Sequence, residues 1–129
     1  RLVKAATVID AGKVINPAMA DAIIKGGMCM GLGLASREHF QYDPTGKVLD
    51  TSLRTYKVMH FGQTPQYLVG FVETPNLDGP YGARGLGEHG IIGMPAALAN
   101  ALSAAAGVQL DDLPIVPEQI WLAVTGGKL

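Results

Sequence analysis

Glu88 stands in a stretch suited to presenting an acid. In Tyr81–Asn100, YGARGLGEHGIIGMPAALAN, three glycines, Gly82, Gly85 and Gly87, lead up to the carboxylate. A run of small apolar residues, Ala96 to Leu102, follows it. Glycine admits positive φ and lets another group approach the backbone closely. The first turn of a helix carries free N–H groups and a partial positive charge. A glycine loop feeding a helix start can therefore hold a carboxylate ionised as a proton acceptor, or hold an anionic ligand on its free N–H groups. The same residues also describe a plain loop and a helix with a favourable acid in its first turn.

No other side chains converge on chemistry so plainly. The single cysteine, Cys29, excludes an internal disulfide and a Cys-rich metal or iron–sulfur site within these residues. It lies in an apolar segment and reads as a buried, inert thiol. His39, His60 and His89 show no ligand spacing, so no metal site is expected. Gly31-Leu32-Gly33 is a weak nucleotide signal, because no strand leads into it and no acid follows at the dinucleotide distance.

The elements that must position Glu88 can be read in order. Val3 to Ile9 is β-branched and predicts a strand. Asp10 to Lys13 is a turn, and Asn16-Pro17 is a helix entry. Apolar spacing predicts a helix from Ala18 to about Ala35. Its interior holds Gly26, Gly27, Gly31 and Gly33, each costing about 1 kcal/mol against alanine. Close packing, or a ligand lying on the helix, is the reason that pattern calls for. Residues 38–42 and 47–49 predict a hairpin around the turn Asp43-Pro44-Thr45-Gly46. Gln66 to Thr74 is a further strand. The small-residue helix has Pro95 early and ends at Gly107, and Pro117 opens a last short helix. The expected class is α+β, a mostly antiparallel sheet with helices packed on it.

Composition narrows the partners. Of 129 residues, 48% are hydrophobic and 16% charged, and 17 are glycine. Such a chain is expected to have part of its surface covered by other polypeptide or a cofactor. The net charge of −1 and the lack of a basic run argue against nucleic acid. No apolar stretch reads as long enough to span a bilayer, and no signal peptide is seen, so a cytoplasmic chain is expected. The N-terminus begins directly in a strand, as expected of a piece of something longer.

Several motifs together resemble the molybdenum hydroxylases, the family of xanthine dehydrogenase and aldehyde oxidase. Gly85-Leu86-Gly87-Glu88 before a small-residue helix is similar to the family's G-x-G-E segment. Asp10 to Pro17 is similar to its D-x-G-x-x-(I/V)-N-P turn, and Gly26-Gly27 with Gly31-Leu32-Gly33 to its glycine helix. Thr55-Tyr56-Lys57 and Phe61 to Pro65 are similar to the segment before its last strand. The ordered set covers nearly the whole chain. The resemblance implies that residues 1–129 are a single domain, the C-terminal portion of the molybdopterin-binding domain of a larger subunit. It implies an enzyme that hydroxylates an aldehyde or N-heterocycle with oxygen from water, using molybdopterin, which the family often carries as its cytosine dinucleotide. Glu88 would be the active-site base, and Gly26, Gly27, Gly85 and Gly87 would let the cofactor approach. Ile23 stands where the family often has Gln, and His89 where it often has Pro. The implied partners are the rest of the large subunit, iron–sulfur and flavin subunits or domains, and a small-molecule substrate. Cut off from them, the fragment is expected to be inactive. The reading from another class is a non-catalytic domain for assembly or partner docking, in which Glu88 is dispensable.

Overall fold

The computed structural model describes residues 1–127. They form two compact units, one of residues 1–31 and 61–93, the other of residues 32–60 and 94–127.

The first unit is built on a β-α-β crossover. Strand β1, Lys4–Asp10, runs into helix α1, Pro17–Ser36, and strand β2, Gln66–Val72, returns beside β1. The strands pair in parallel, from Lys4 opposite Gln66 to Asp10 opposite Val72. This corrects the expectation of a mostly antiparallel sheet. A long helical excursion between two strands lets the second run in the same direction as the first. The expected hairpin does not become a second sheet: residues 38–49 contribute only an isolated bridge between Tyr42 and Val48. The turn inside it forms as read. Asp43 accepts hydrogen bonds from the backbone N–H of Thr45 and Lys47 and from the Thr45 hydroxyl. The Thr45 side chain, first among these donors, holds the Asp43 carboxyl below its ordinary pKa.

Helix α1 begins because Asn16 caps it. The Asn16 side-chain oxygen accepts the Met19 N–H at 3.1 Å, and Pro17 takes the first helical position, where no N–H is needed. Ile24 and Met28 are fully buried, with Ala20 close to it. With Ile9 and Ala11 they make the core of the first unit. Contrary to the sequence expectation, α1 is long and apolar enough to cross a bilayer, with a mean hydropathy of 1.3. Its buried Ile24 and Met28 mark it as a core helix. Cys29 is half-buried rather than buried. It adjoins Tyr67, whose phenol is pushed up chiefly by burial and further by the thiol.

The second unit holds helices α3, Met94–Ala106, and α4, Pro117–Thr125. Its buried apolar residues include Leu32, Ala35, Met94, Leu98, Leu110 and Ile115. Helix α3 stops at Gly107, whose φ of +69° turns the chain out of the helix, as expected. The Tyr56 hydroxyl donates to Glu38 at 2.9 Å, and its ring lies 4.8 Å from that of Phe40.

Candidate active site

The site grows from the turn after β1. Asp10 accepts the backbone N–H of Gly12 at 3.0 Å and that of Thr74, beyond β2, at 3.1 Å. Glu73 accepts the Val14 N–H at 2.8 Å and pairs with the Lys13 ammonium at 3.1 Å. Two exposed carboxylates thus fasten the β1–α1 turn to the end of β2. Gly12 is the residue this turn requires. Its φ is +61°, and a Cβ there would fall on the Gly82 carbonyl oxygen. That carbonyl accepts the N–H groups of both Lys13 and Asn76, and Arg84 donates its own N–H to Ala11.

The clamp carries a pH signature. The Gly12 N–H foremost, with Thr74 and Arg84, holds the Asp10 carboxyl below its ordinary pKa; the Val14 N–H, with Lys13, does the same for Glu73. Folding lowers both values, so the unfolded chain takes up the protons first. The stabilisation is complete above the unfolded carboxylate pKa of about 4 and is lost as pH falls through the lower folded values. Wild type is expected to be more stable than Asp10→Asn at pH 7. The gap should close as denaturation is followed from pH 5 down to 2.

From Arg84 the chain passes Gly85, Leu86 and Gly87 to Glu88. Of the three glycines that precede Glu88, only Gly82 has a positive φ, +78°. Gly85 and Gly87 do not, and a Cβ at either would meet open space. Their use is therefore not backbone strain but room beside the chain. Glu88 itself does not open the small-residue helix. It precedes a single turn, α2, His89–Ile92, and its side chain makes no capping hydrogen bond. Pro95, the second residue of α3, has no N–H to continue the ladder, so the helix breaks at Gly93 and restarts. The dipole of one turn is too small to hold the carboxylate in the expected manner.

Glu88 instead lines a cavity. About 340 Å³ in volume, it is lined by Ala22, Ile23, Gly26, Gly27 and Met30 of α1, and by Gly87, Glu88 and Ile91. Glu88 is exposed, and among the described residues it enters no ion pair. A neighbouring cavity of about 360 Å³ shares Ile23 and Gly87 and is lined also by Lys13, Asn16, Met19 and Arg84. No group of three His, Cys, Asp or Glu able to hold a metal occurs among the described residues.

The two helix glycines do different work. A Cβ on Gly27 would lie 3.0 Å from the Gly90 Cα, so α1 and α2 touch backbone to backbone there. A Cβ on Gly26 would meet nothing within 4 Å. Among the described residues Gly26 therefore has no packing reason, although it lines the same cavity as Glu88. Gly90 was not marked by sequence reasoning. A Cβ there would strike the Ile24 carbonyl oxygen. The only sequence signal is a fourth glycine two residues past the acid.

Comparison with known proteins identifies the family. The molybdopterin cofactor-binding domain family matches residues 1–65, the N-terminal half of the chain, and Glu88 lies beyond that match. The match does not carry the expectation that the chain is a C-terminal portion. The large subunit of nicotine 6-hydroxylase from Paenarthrobacter nicotinovorans is 34% identical over 95% of this chain and 15% of its own length. A putative xanthine dehydrogenase molybdenum-binding subunit of Escherichia coli (strain K12) is 36% identical over 87% of the chain and 15% of its own length. The crystal structure of the aldehyde oxidoreductase from Desulfovibrio desulfuricans superimposes with a TM-score of 0.85 at 32% identity, covering 94% of this chain and 13% of that one. The chain thus spans about 15% of the length of these curated relatives. With half its residues matched by one family and its fold shared with these structures, the chain belongs to the molybdopterin cofactor-binding domain family.

Proposed function

We propose that the chain is a portion of the large subunit of a molybdenum hydroxylase, and that Glu88 is the active-site base. Gly26 carries this reading. A helix-interior glycine costs stability, and no contact among the described residues accounts for it. It lines the same cavity as Glu88. The residues fit a molybdopterin cofactor: Gly26 and Gly87 line the cavity and leave room where a side chain would intrude, while Gly27 packs on Gly90 and Gly85 lies outside the cavity lining. The open, apolar wall of Ile23 and Met30 offers flat contact to a ring system. When bound, the cofactor supplies the redox chemistry, taking two electrons from substrate while the oxygen comes from water.

The chain's own contribution is a proton acceptor on a supported loop. A general base must lie within hydrogen-bond reach of the proton it removes, on a scaffold that holds it there. Glu88 lies between the Arg84 anchor and the tight Gly90 contact, with its carboxylate unpaired among the described residues. Closing the cavity against water requires other polypeptide. Ile15, Met19, Ile23 and Met30 beside it are 48–69% exposed, and the rest of the large subunit is the proposed cover. Iron–sulfur and flavin partners, the dinucleotide form of the cofactor and an aldehyde or N-heterocyclic substrate belong to the same proposal, as does a cytoplasmic location.

The test is Gly26→Leu in the full-length subunit, measuring molybdenum content, pterin fluorescence and turnover. The helix should hold or gain about 0.5–1 kcal/mol, since glycine is the poorer helix former and the space is free. Cofactor content or turnover should fall at least tenfold. A variant with full molybdenum, full pterin and wild-type turnover would overturn the assignment of this cavity.

A further inference from the structure

We propose that Asp10, far from Glu88 in sequence, is a positioning residue for it: one carboxylate ties three segments together and so fixes where the loop bearing the base begins. The inference rests on the reading of Glu88 as the base. The Asp10 side chain accepts the Gly12 and Thr74 backbone N–H groups through a single oxygen, Oδ1. The same oxygen lies 3.7 Å from the Arg84 guanidinium nitrogen Nε. Nε also donates to the Thr74 carbonyl at 3.3 Å, while the Arg84 backbone N–H reaches Ala11 at 2.9 Å. Arg84 is thus held at both its backbone and its side chain, four residues before Glu88.

What lies between Arg84 and Glu88 makes this anchor matter. Gly85 and Gly87 have open space where a side chain would be. The next tight contact is Gly90, against the Ile24 backbone. The segment bearing Glu88 therefore runs between two fixed points, with Leu86 alone half-buried between Arg84 and Glu88. An exposed ion pair at 3.7 Å contributes little by itself. The two charge-assisted bonds to backbone N–H groups are the stronger element, and they fix the turn on which Arg84 rests. Loss of that anchor leaves the base present but misplaced, and a displacement of about 1 Å can cost about a hundredfold in rate.

The experiment uses the full-length, cofactor-loaded subunit with Asp10→Ala, Asp10→Asn and Glu88→Gln. Asparagine keeps an acceptor oxygen for both N–H groups, so Asp10→Asn should stay within about threefold of wild type. Asp10→Ala should lower kcat per bound molybdenum by about 10–100-fold, with KM within about twofold. Amide hydrogen exchange across residues 84–88 should quicken in Asp10→Ala and remain near wild type in Asp10→Asn. A merely structural role would lower yield and thermal stability but leave kcat per molybdenum and exchange at 84–88 unchanged; that result overturns the proposal. If Asp10→Ala does not fold, Arg84→Gln gives the same readout, with a kcat loss of about threefold or more supporting the proposal and none overturning it. Unchanged Asp10→Ala beside an inactive Glu88→Gln removes the positioning role alone. A fully active Glu88→Gln removes the base and the positioning role together.

Discussion

Glu88→Gln in the full-length subunit is expected to lower turnover by about 10²–10⁴-fold while molybdenum content stays at the wild-type level. Glutamine has nearly the same shape and removes only the ability to take a proton. The position is exposed, and no ion pair or capping bond is lost from it among the described residues. The fold should therefore be indifferent to the change. A general base acts in the transition state, so kcat and kcat/KM should fall together while KM moves little. Steady-state kinetics normalised to bound molybdenum would measure it. Wild-type turnover in this variant would strip Glu88 of the role and return the site to a docking surface.

Gly90→Ala should do its damage through packing. A Cβ there would strike the Ile24 carbonyl oxygen and stand 3.1 Å from the Ile24 Cα. Both partners are backbone, so no side chain can swing aside. The reciprocal view is as tight, with a Cβ on Gly27 lying 3.0 Å from the Gly90 Cα. Separating α1 from α2 to make room should cost about 2–3 kcal/mol, toward the upper end for overpacking. It should also move Glu88, two residues away, and lower turnover. Urea denaturation and kinetics on the same preparation would show both. The contrast with Gly26→Leu is diagnostic, since equal destabilisation by the two changes would mean that Gly26 is packed after all.

That contrast marks where sequence reasoning stops. Gly26 and Gly27 are neighbours in the chain, and nothing in their types separates them. On a helix they point about 100° apart, so one meets a second backbone and the other meets space. The elements themselves were legible where the signal is local. Asn16-Pro17 starts α1, Asp43 to Gly46 makes its turn, and Gly107 ends α3. Strand direction was not legible, because it depends on a crossover and not on any residue within the strand. Nor was the break at Gly93. The apolar run continues through it, and although Pro95 marks the early part of the regular helix as expected, nothing in the types of its neighbours separates the single turn before it. The reason given for the glycines before Glu88 fails for two of them, since Gly85 and Gly87 give room and not an unusual backbone.

The parallel pairing of β1 with β2 has a consequence for synthesis. Lys4 finds its partner only when Gln66 has left the ribosome, about sixty residues later. At about 5–20 residues per second that is a wait on the order of 3–12 s. Through it the nascent chain carries an unpaired strand and a long greasy helix. In that interval the apolar surface of β1 and α1 is open to chaperone capture.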